Sequence, residues 1–174
     1  MTGRIENQPE TTLGPFSAPG ATTTPWELTA EALRRTQKFS LATVRADGRP
    51  HVTPLLAIWA FGAMWFATGE NEQKAKNLAG NPHCILTTGT NTLTGTDYVI
   101  EGEAALVADP DDRNAVAEAF EQAYGWHLTR EDGTWYRMGD ALRSGEVQLY
   151  RVGPTVAFAY QNGTEFSQTR YSWA

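Results

Sequence analysis

The segment FSLATVR-ADGR-PHVTPLLAIWA constrains the fold most, because two alternating, β-rich stretches flank an Asp47-Gly48 turn, the strongest local signature of a hairpin. A second turn at Phe61-Gly62 leads into AMWFAT, read as a third antiparallel strand. HCILTT, DYVIEGEAALV, EVQLYRV, TVAFAY and EFSQTRY follow, the last three joined by Gly-Pro and Gln-Asn-Gly turns. Strands linked by tight turns cannot run parallel, since parallel neighbours need a crossover of about a dozen residues or more. A parallel nucleotide-binding sheet is therefore disfavoured. Three helices interrupt the strands. TPWELTAEALRRTQKF starts with Thr24 as cap, Pro25 at the first position and Glu27 completing a capping box. NEQKAKNLAGNP takes Asn71 as cap and stops at Asn-Pro. DPDDRNAVAEAFEQAYG has Asp109 as cap, Pro110 next and Gly125 as terminator. About eight short strands with three inserted helices predict a mainly β protein, an antiparallel sheet closed or nearly closed into a barrel.

At 174 residues the chain suits one domain, large enough to bury roughly 70% of its unfolded surface. Residues 1–23 are rich in Thr, Pro and Gly and are read as a flexible arm, leaving 24–174 as the folded unit. Fourteen Lys and Arg against twenty Asp and Glu give a net charge of −6, which argues against nucleic acid and anionic membranes as partners. A run of about 18 apolar residues and a secretory leader are both missing, and Cys84 is the single cysteine. A soluble cytoplasmic protein without disulfides is the expectation.

His51, His83 and His127 are far apart and lack the spacing of a metal pair, so no metal site is expected. The chain has no Gly-x-Ser-x-Gly elbow and no phosphate-cradling glycine loop, and Cys84 sits in an apolar strand. What remains is a strand end followed by a helix carrying Lys74 and Lys76. A helix N-terminus beside an ammonium suits a phosphate; by spacing alone the two lysines are equally the solvated face of an amphipathic helix. In PHVTPLLAIW, His51, Thr53, Leu55, Ala57 and Trp59 share one face and Val52, Pro54, Leu56 and Ile58 the other, both largely buried. Pro54 cannot donate to a ladder and places the strand at an edge or bulge, where a planar heteroaromatic ligand could use free backbone groups. Barrel-rim polarity explains His51 and Thr53 as well, and core packing explains the tryptophans.

Taken together, LATVRADGRPHVTPLLAIW, WFATGENEQKAKNLAGNP, DYVIEGEAALV and GTEFSQTRYSW, in this order from about Trp26 onward, resemble the pyridoxamine 5'-phosphate oxidase-like split-barrel superfamily, and within it the deazaflavin-dependent branch. The resemblance implies a six-stranded antiparallel split barrel that forms homodimers, with a flavin or deazaflavin in each of two clefts built by both subunits. It implies that His51, Val52, Thr53 and Pro54 lie along the tricyclic ring and that Thr68, Lys74 and Asn77 lie near the phosphate and its polyol chain. Phe166, Thr169 and Arg170 would approach the cleft mouth, with Trp59 and Arg170 touching substrate. Where FMN-binding members open the short helix with a Ser-Arg-Lys-like triplet, Gln73 stands in this chain before Lys74, and a neutral amide does not replace a bidentate guanidinium. Similarity to the deazaflavin branch implies coenzyme F-420 as the leading cofactor, with FMN the alternative. The implied activity is hydride transfer between the reduced cofactor and a small electron-poor substrate, with His51 as proton donor. A non-catalytic carrier of flavin, haem or tetrapyrrole is the alternative of a different class. The loops GTNTLTGT and GWHLTREDGTWYRMGD would set specificity.

Overall fold

The computed structural model describes residues 8–125 and 137–174. His127 and most of the loop GWHLTREDGTWYRMGD lie outside the described residues. The elements, in chain order, are β1 (Glu10–Leu13), α1 (Trp26–Arg35), β2 (Phe39–Val44), β3 (Pro50–Leu55), β4 (Ala57–Ala60), β5 (Ala63–Thr68), α2 (Gln73–Gly80), β6 (His83–Thr88), β7 (Gly95–Val107), α3 (Pro110–Tyr124), α4 (Met138–Ser144), β8 (Gln148–Asn162) and β9 (Ser167–Ser172). All strand pairs among the described residues are antiparallel, as the hairpin succession requires.

The sheet runs β1-β9-β8-β7-β6-β2-β3, with β4 pairing β5 and β5 pairing β8. Because β3 and β4 are one chain bent at Leu56, the path β8-β7-β6-β2-β3/β4-β5-β8 returns to its start. That closed circuit is the expected barrel. It has six members when β3 and β4 are counted together, and β9 and β1 extend it outward, so the described sheet has nine strands rather than six.

Several local expectations change. The Gly153-Pro154 pair was expected to turn the chain but lies inside the continuous β8, opposite a register shift at Glu101/Gly102 where Thr155 is the extra residue. A bulge accommodates the proline that a regular ladder would reject. Within the expected flexible arm, Glu10–Leu13 pairs with Thr169–Ser172 although all four residues are exposed; main-chain hydrogen bonds hold this strand, which composition does not reveal. At α1, Pro25 is the cap residue without a side-chain cap, and the Thr24 amide instead donates to Thr169 Oγ1 at 2.8 Å. At α2, Glu72 replaces Asn71 as the cap residue. Helix α3 follows its sequence signals: Asp109 accepts from the Asp111 and Asp112 amides, Pro110 leads, and Gly125 closes in the left-handed region. Helix α4 was not expected; it is seven residues long, its N-cap Arg137 makes no side-chain cap, and only Gly145, closing it in the left-handed region, marks it in the sequence.

The barrel interior is filled by Trp26, Phe39, Leu41, Met64, Phe66, Leu86, Ile100 and Tyr171. Trp26 meets Trp59, Tyr171 and Trp173 edge to face at 5.4, 5.0 and 4.9 Å between ring centroids, pinning α1 to the β4 and β9 ends of the sheet. A second cluster, Ile58, Trp65, Val116, Phe120 and Leu149, seats α3 against β4, β5 and β8. No described helix is long and apolar enough to cross a membrane.

A Cβ on Gly102 would overlap the Gly153 carbonyl oxygen across the β7–β8 bulge, and backbone cannot yield as a side chain can. Gly102→Ala is expected to destabilise by about 2–3 kcal/mol, lowering Tm by roughly 5–10 °C in thermal unfolding. Gly80→Ala, with open space around the added carbon, serves as control and leaves Tm unchanged or slightly raised.

Candidate functional site

Helix α2 starts directly beyond β5, whose last residue is Thr68. The Glu72 carboxylate accepts from the Gly69 amide at 3.0 Å and pairs with the Lys74 ammonium. That ammonium, helped by the Thr68 hydroxyl, holds the Glu72 carboxyl below the usual carboxylate range. The two lysines of α2 divide. Lys76 is exposed, whereas Lys74 is 8% exposed and turned toward the barrel with Ala75, Asn77 and Leu78. The solvated-face reading therefore fits Lys76 and fails for Lys74.

Asn77, 4% exposed, donates from Nδ2 to Thr43 Oγ1 at 2.8 Å, joining α2 to β2. Gln73 Nε2 donates to Asn77 Oδ1 at 2.7 Å. Thr43 and His51 are cross-strand partners, and Thr43 Oγ1 lies 3.4 Å from His51 Nδ1. The structure thus brings His51, Gln73 and Asn77 together through Thr43, and Thr68 and Lys74 together around Glu72. Among the described residues β3 pairs only with β2, so it is an edge, as Pro54 led one to expect. The expectation that both faces of His51–Leu56 are buried does not hold. Val52 is 60% exposed, Pro54 is exposed, and His51 and Thr53 are half-buried.

Trp59 and Arg170 do not join this group. Trp59 is 4% exposed inside the core, where its ring meets that of Trp26 edge to face. Arg170 is exposed on β9, which pairs with β8 and β1 and not with β3. Thr169 is fully buried and accepts from the Thr24 amide, which takes it out of the cleft mouth. Phe166 is half-buried, with its carbonyl accepting from the Ala18 amide at 2.8 Å.

Beside the start of α2 lies a 210 Å³ cavity lined by Leu56, Thr68, Gly69, Glu72, Phe120 and Val147. Its outer wall depends on Arg113, which is 7% exposed and donates to the carbonyls of Leu142, Val107 and Val147 at 2.7, 2.9 and 2.6 Å. Sequence reasoning missed Thr43, Glu72 and Arg113. For Thr43 a signal exists: in Phe39, Leu41, Thr43 it is the polar member of an inward-facing, period-2 set. Cys84 behaves as expected, its thiol pushed up to about 12 by burial and so unsuited to nucleophilic work. No metal-binding cluster occurs among the described residues.

The pyridoxamine 5'-phosphate oxidase family pattern matches residues 26–152, from α1 through the first part of β8. The chain belongs to this family. No curated protein matches its sequence. Among solved structures, protein Rv2991 of Mycobacterium tuberculosis is similar at 21% identity, covering 79% of this chain and 85% of that one, with a TM-score of 0.66. The haem storage protein HutZ of Vibrio cholerae is similar at 20% identity, with 74% and 89% covered and a TM-score of 0.58. A haem-binding protein of Mycobacterium smegmatis is similar at 16% identity, with 80% of this chain and 56% of that one covered and a TM-score of 0.61. At these identities the likeness establishes the family's fold.

The site's donor set was tested against a flavin-type group, a planar ring with an anionic tail. Half-exposed β3 offers His51, Thr53 and the main chain of an open edge, which suits the ring. The buried Lys74 and Thr68 suit the anion, with one obstacle: the Glu72 carboxylate already occupies the ammonium. The Glu72 side chain is 53% exposed and free to swing into water, so the residues fit the group when that carboxylate yields.

Proposed function

We propose that the protein is an oxidoreductase that uses a deazaflavin, coenzyme F-420, with FMN as the alternative, to reduce a small electron-poor substrate. One observation carries this reading: helix α2 bears both Lys74, buried at its first turn, and Asn77, whose bond to Thr43 ties the helix to the strand pair that carries His51. The cofactor, when bound, supplies the hydride chemistry. The chain supplies position and exclusion of water. Strand β3 lies along the ring; Thr68 and Lys74 hold the anionic tail; His51 holds a proton near the ring edge for delivery to the substrate. With Gln73 in place of an arginine, the seat has one cation, already offset by Glu72, which favours the singly charged phosphodiester of F-420 over the dianionic phosphomonoester of FMN.

Carriage of haem or another tetrapyrrole is a second reading, favoured by the two haem-binding neighbours and by the apolar residues Val44, Val52 and Ile85 at 37, 60 and 36% exposure. Titration with F-420, FMN and haem, followed by addition of quinones, enones or biliverdin to the reduced F-420 complex, separates the two. Enzyme function predicts a fluorescence change on F-420 binding and reoxidation by at least one acceptor, with His51→Ala lowering the rate about 10²-fold. Tight binding without reoxidation across the panel supports the carrier.

The same apolar residues, exposed on the neighbouring strands β2, β3 and β6, support a homodimer in which a second copy contributes to each site. Sedimentation at micromolar concentration is expected to give the dimer mass; a monomer rejects the shared site.

Glu72→Gln tests the anion seat. Removing the competing carboxylate is expected to tighten binding of F-420 or FMN about fivefold at low salt, a single-charge effect at a partly exposed site. The wild type gains the same advantage only as pH falls through the depressed Glu72 value, where the carboxylate protonates and the Lys74 pairing is lost. Equal or weaker binding by Glu72→Gln removes Lys74 and Glu72 from the seat.

A further inference from the structure

Four polar side chains form a continuous line from the first turn of α2 to the edge strand β3. Gln73 donates to Asn77, and Asn77 Nδ2 donates to Thr43 Oγ1 at 2.8 Å. A hydroxyl has one hydrogen to give. The Thr43 oxygen could accept from both neighbours, but its own hydrogen would then be buried without a partner; given to His51 Nδ1, 3.4 Å away, that hydrogen is satisfied. That nitrogen then acts as the acceptor, and a neutral imidazole whose Nδ1 accepts carries its proton on Nε2. Thr43 is 2% and Asn77 4% exposed, so neither can exchange its partner for water without leaving a buried polar group unpaired.

We propose that Thr43 and Asn77 are positioning residues that lock His51 in the Nε2–H form, so that the edge of β3 presents a hydrogen-bond donor to its ligand. The ligand half of this proposal rests on the cofactor reading above. It selects planar ligands that place an acceptor, such as a ring carbonyl or an unprotonated ring nitrogen, against Nε2. Ligands with an N–H at that point meet donor against donor and are rejected. The opposite arrangement, with the Thr43 oxygen accepting from Asn77 and from His51 Nδ1–H together, would strand the buried Thr43 hydrogen and leave Nε2 as an acceptor, which selects the opposite ligand edge.

The test uses full-length, ligand-free protein labelled with ¹⁵N-histidine above neutral pH, with the His51 resonances assigned by their loss in His51→Gln. Long-range ¹H–¹⁵N spectra report which ring nitrogen is protonated. The expected result is a dominant Nε2–H form in the wild type, a ratio lowered about tenfold in Thr43→Val, and recovery in Thr43→Ser. A dominant Nδ1–H form in the wild type, or the wild-type ratio persisting in Thr43→Val, overturns the lock. The wild-type spectrum alone decides the matter if Thr43→Val does not fold. In F-420 fluorescence titrations, Thr43→Val is expected to bind about tenfold more weakly and Thr43→Ser to recover; equal binding by Thr43→Val overturns the ligand half. If neither F-420 nor FMN binds the wild type, the cofactor reading and the ligand half fail together, and the tautomer ratio still decides the lock.

Discussion

The fifteen residues of β8 pair with β7 along nearly their whole length while the opposite edge of β8 is divided, β5 taking Gln148–Val152 and β9 taking Val156–Gln161. That division is what lets the sheet close on one side and still extend to β9 and β1 on the other. It needs a change of direction between the two halves, and the bulge at Thr155 opposite Glu101/Gly102 provides it. Gly102 is required because the Gly153 carbonyl comes too close for any side chain. Closure through β5 in turn forces the chain to bend at Leu56, with β4 drawn to β5 and β3 left on β2. The open edge at His51–Pro54 is thus a consequence of barrel closure on β8.

Legibility in the sequence followed the range of the interactions. The Asp47-Gly48 hairpin and the caps of α3 are decided within a few residues, and both stand in the structure as read. Helix α4 has no side-chain cap at its start, only Gly145 in the left-handed region at its end, and is held by distant contacts: the Arg143 guanidinium on Glu121 of α3 at 2.7 and 2.8 Å, and the Leu142 carbonyl on Arg113. Strand β1 exists because β9 offers it a ladder, something its Thr-rich composition does not encode. The continuity of β8 was hidden by Gly153-Pro154, which signals a turn in isolation and becomes a bulge when β7 lies alongside.

The same rule applies at the site. That Lys74 and Asn77 matter followed from the resemblance of KAKNLAGNP to its relatives; which way they point depends on α2 packing over β2, a contact between residues 34 apart in sequence. Thr43 is the hinge of that contact and was passed over because a lone threonine in a strand is ordinary. Glu72 was overlooked for a different reason. An acidic residue at the start of a helix reads as dipole compensation, yet its side chain turns back to the Gly69 amide and reaches the Lys74 ammonium.

Charge then limits what the site accepts. The chain carries −6 overall, so long-range attraction does not gather anions and binding must come from short-range contacts. Two candidate contacts exist, the Lys74–Glu72 pair and the separate line that runs from Gln73 through Asn77 and Thr43 to His51. The proposed anion seat is a buried lysine paired with an exposed carboxylate, a pair without net charge that an anion would have to open. The ring end is a histidine held through a buried hydroxyl. A ligand that reaches only one end gains little: an anion alone must displace Glu72, and a planar ring alone has a single exposed strand edge against it. On the proposed reading only a molecule with both a ring and an anionic tail collects both terms, so a flavin-shaped cofactor would be held in preference to free phosphate or a simple aromatic.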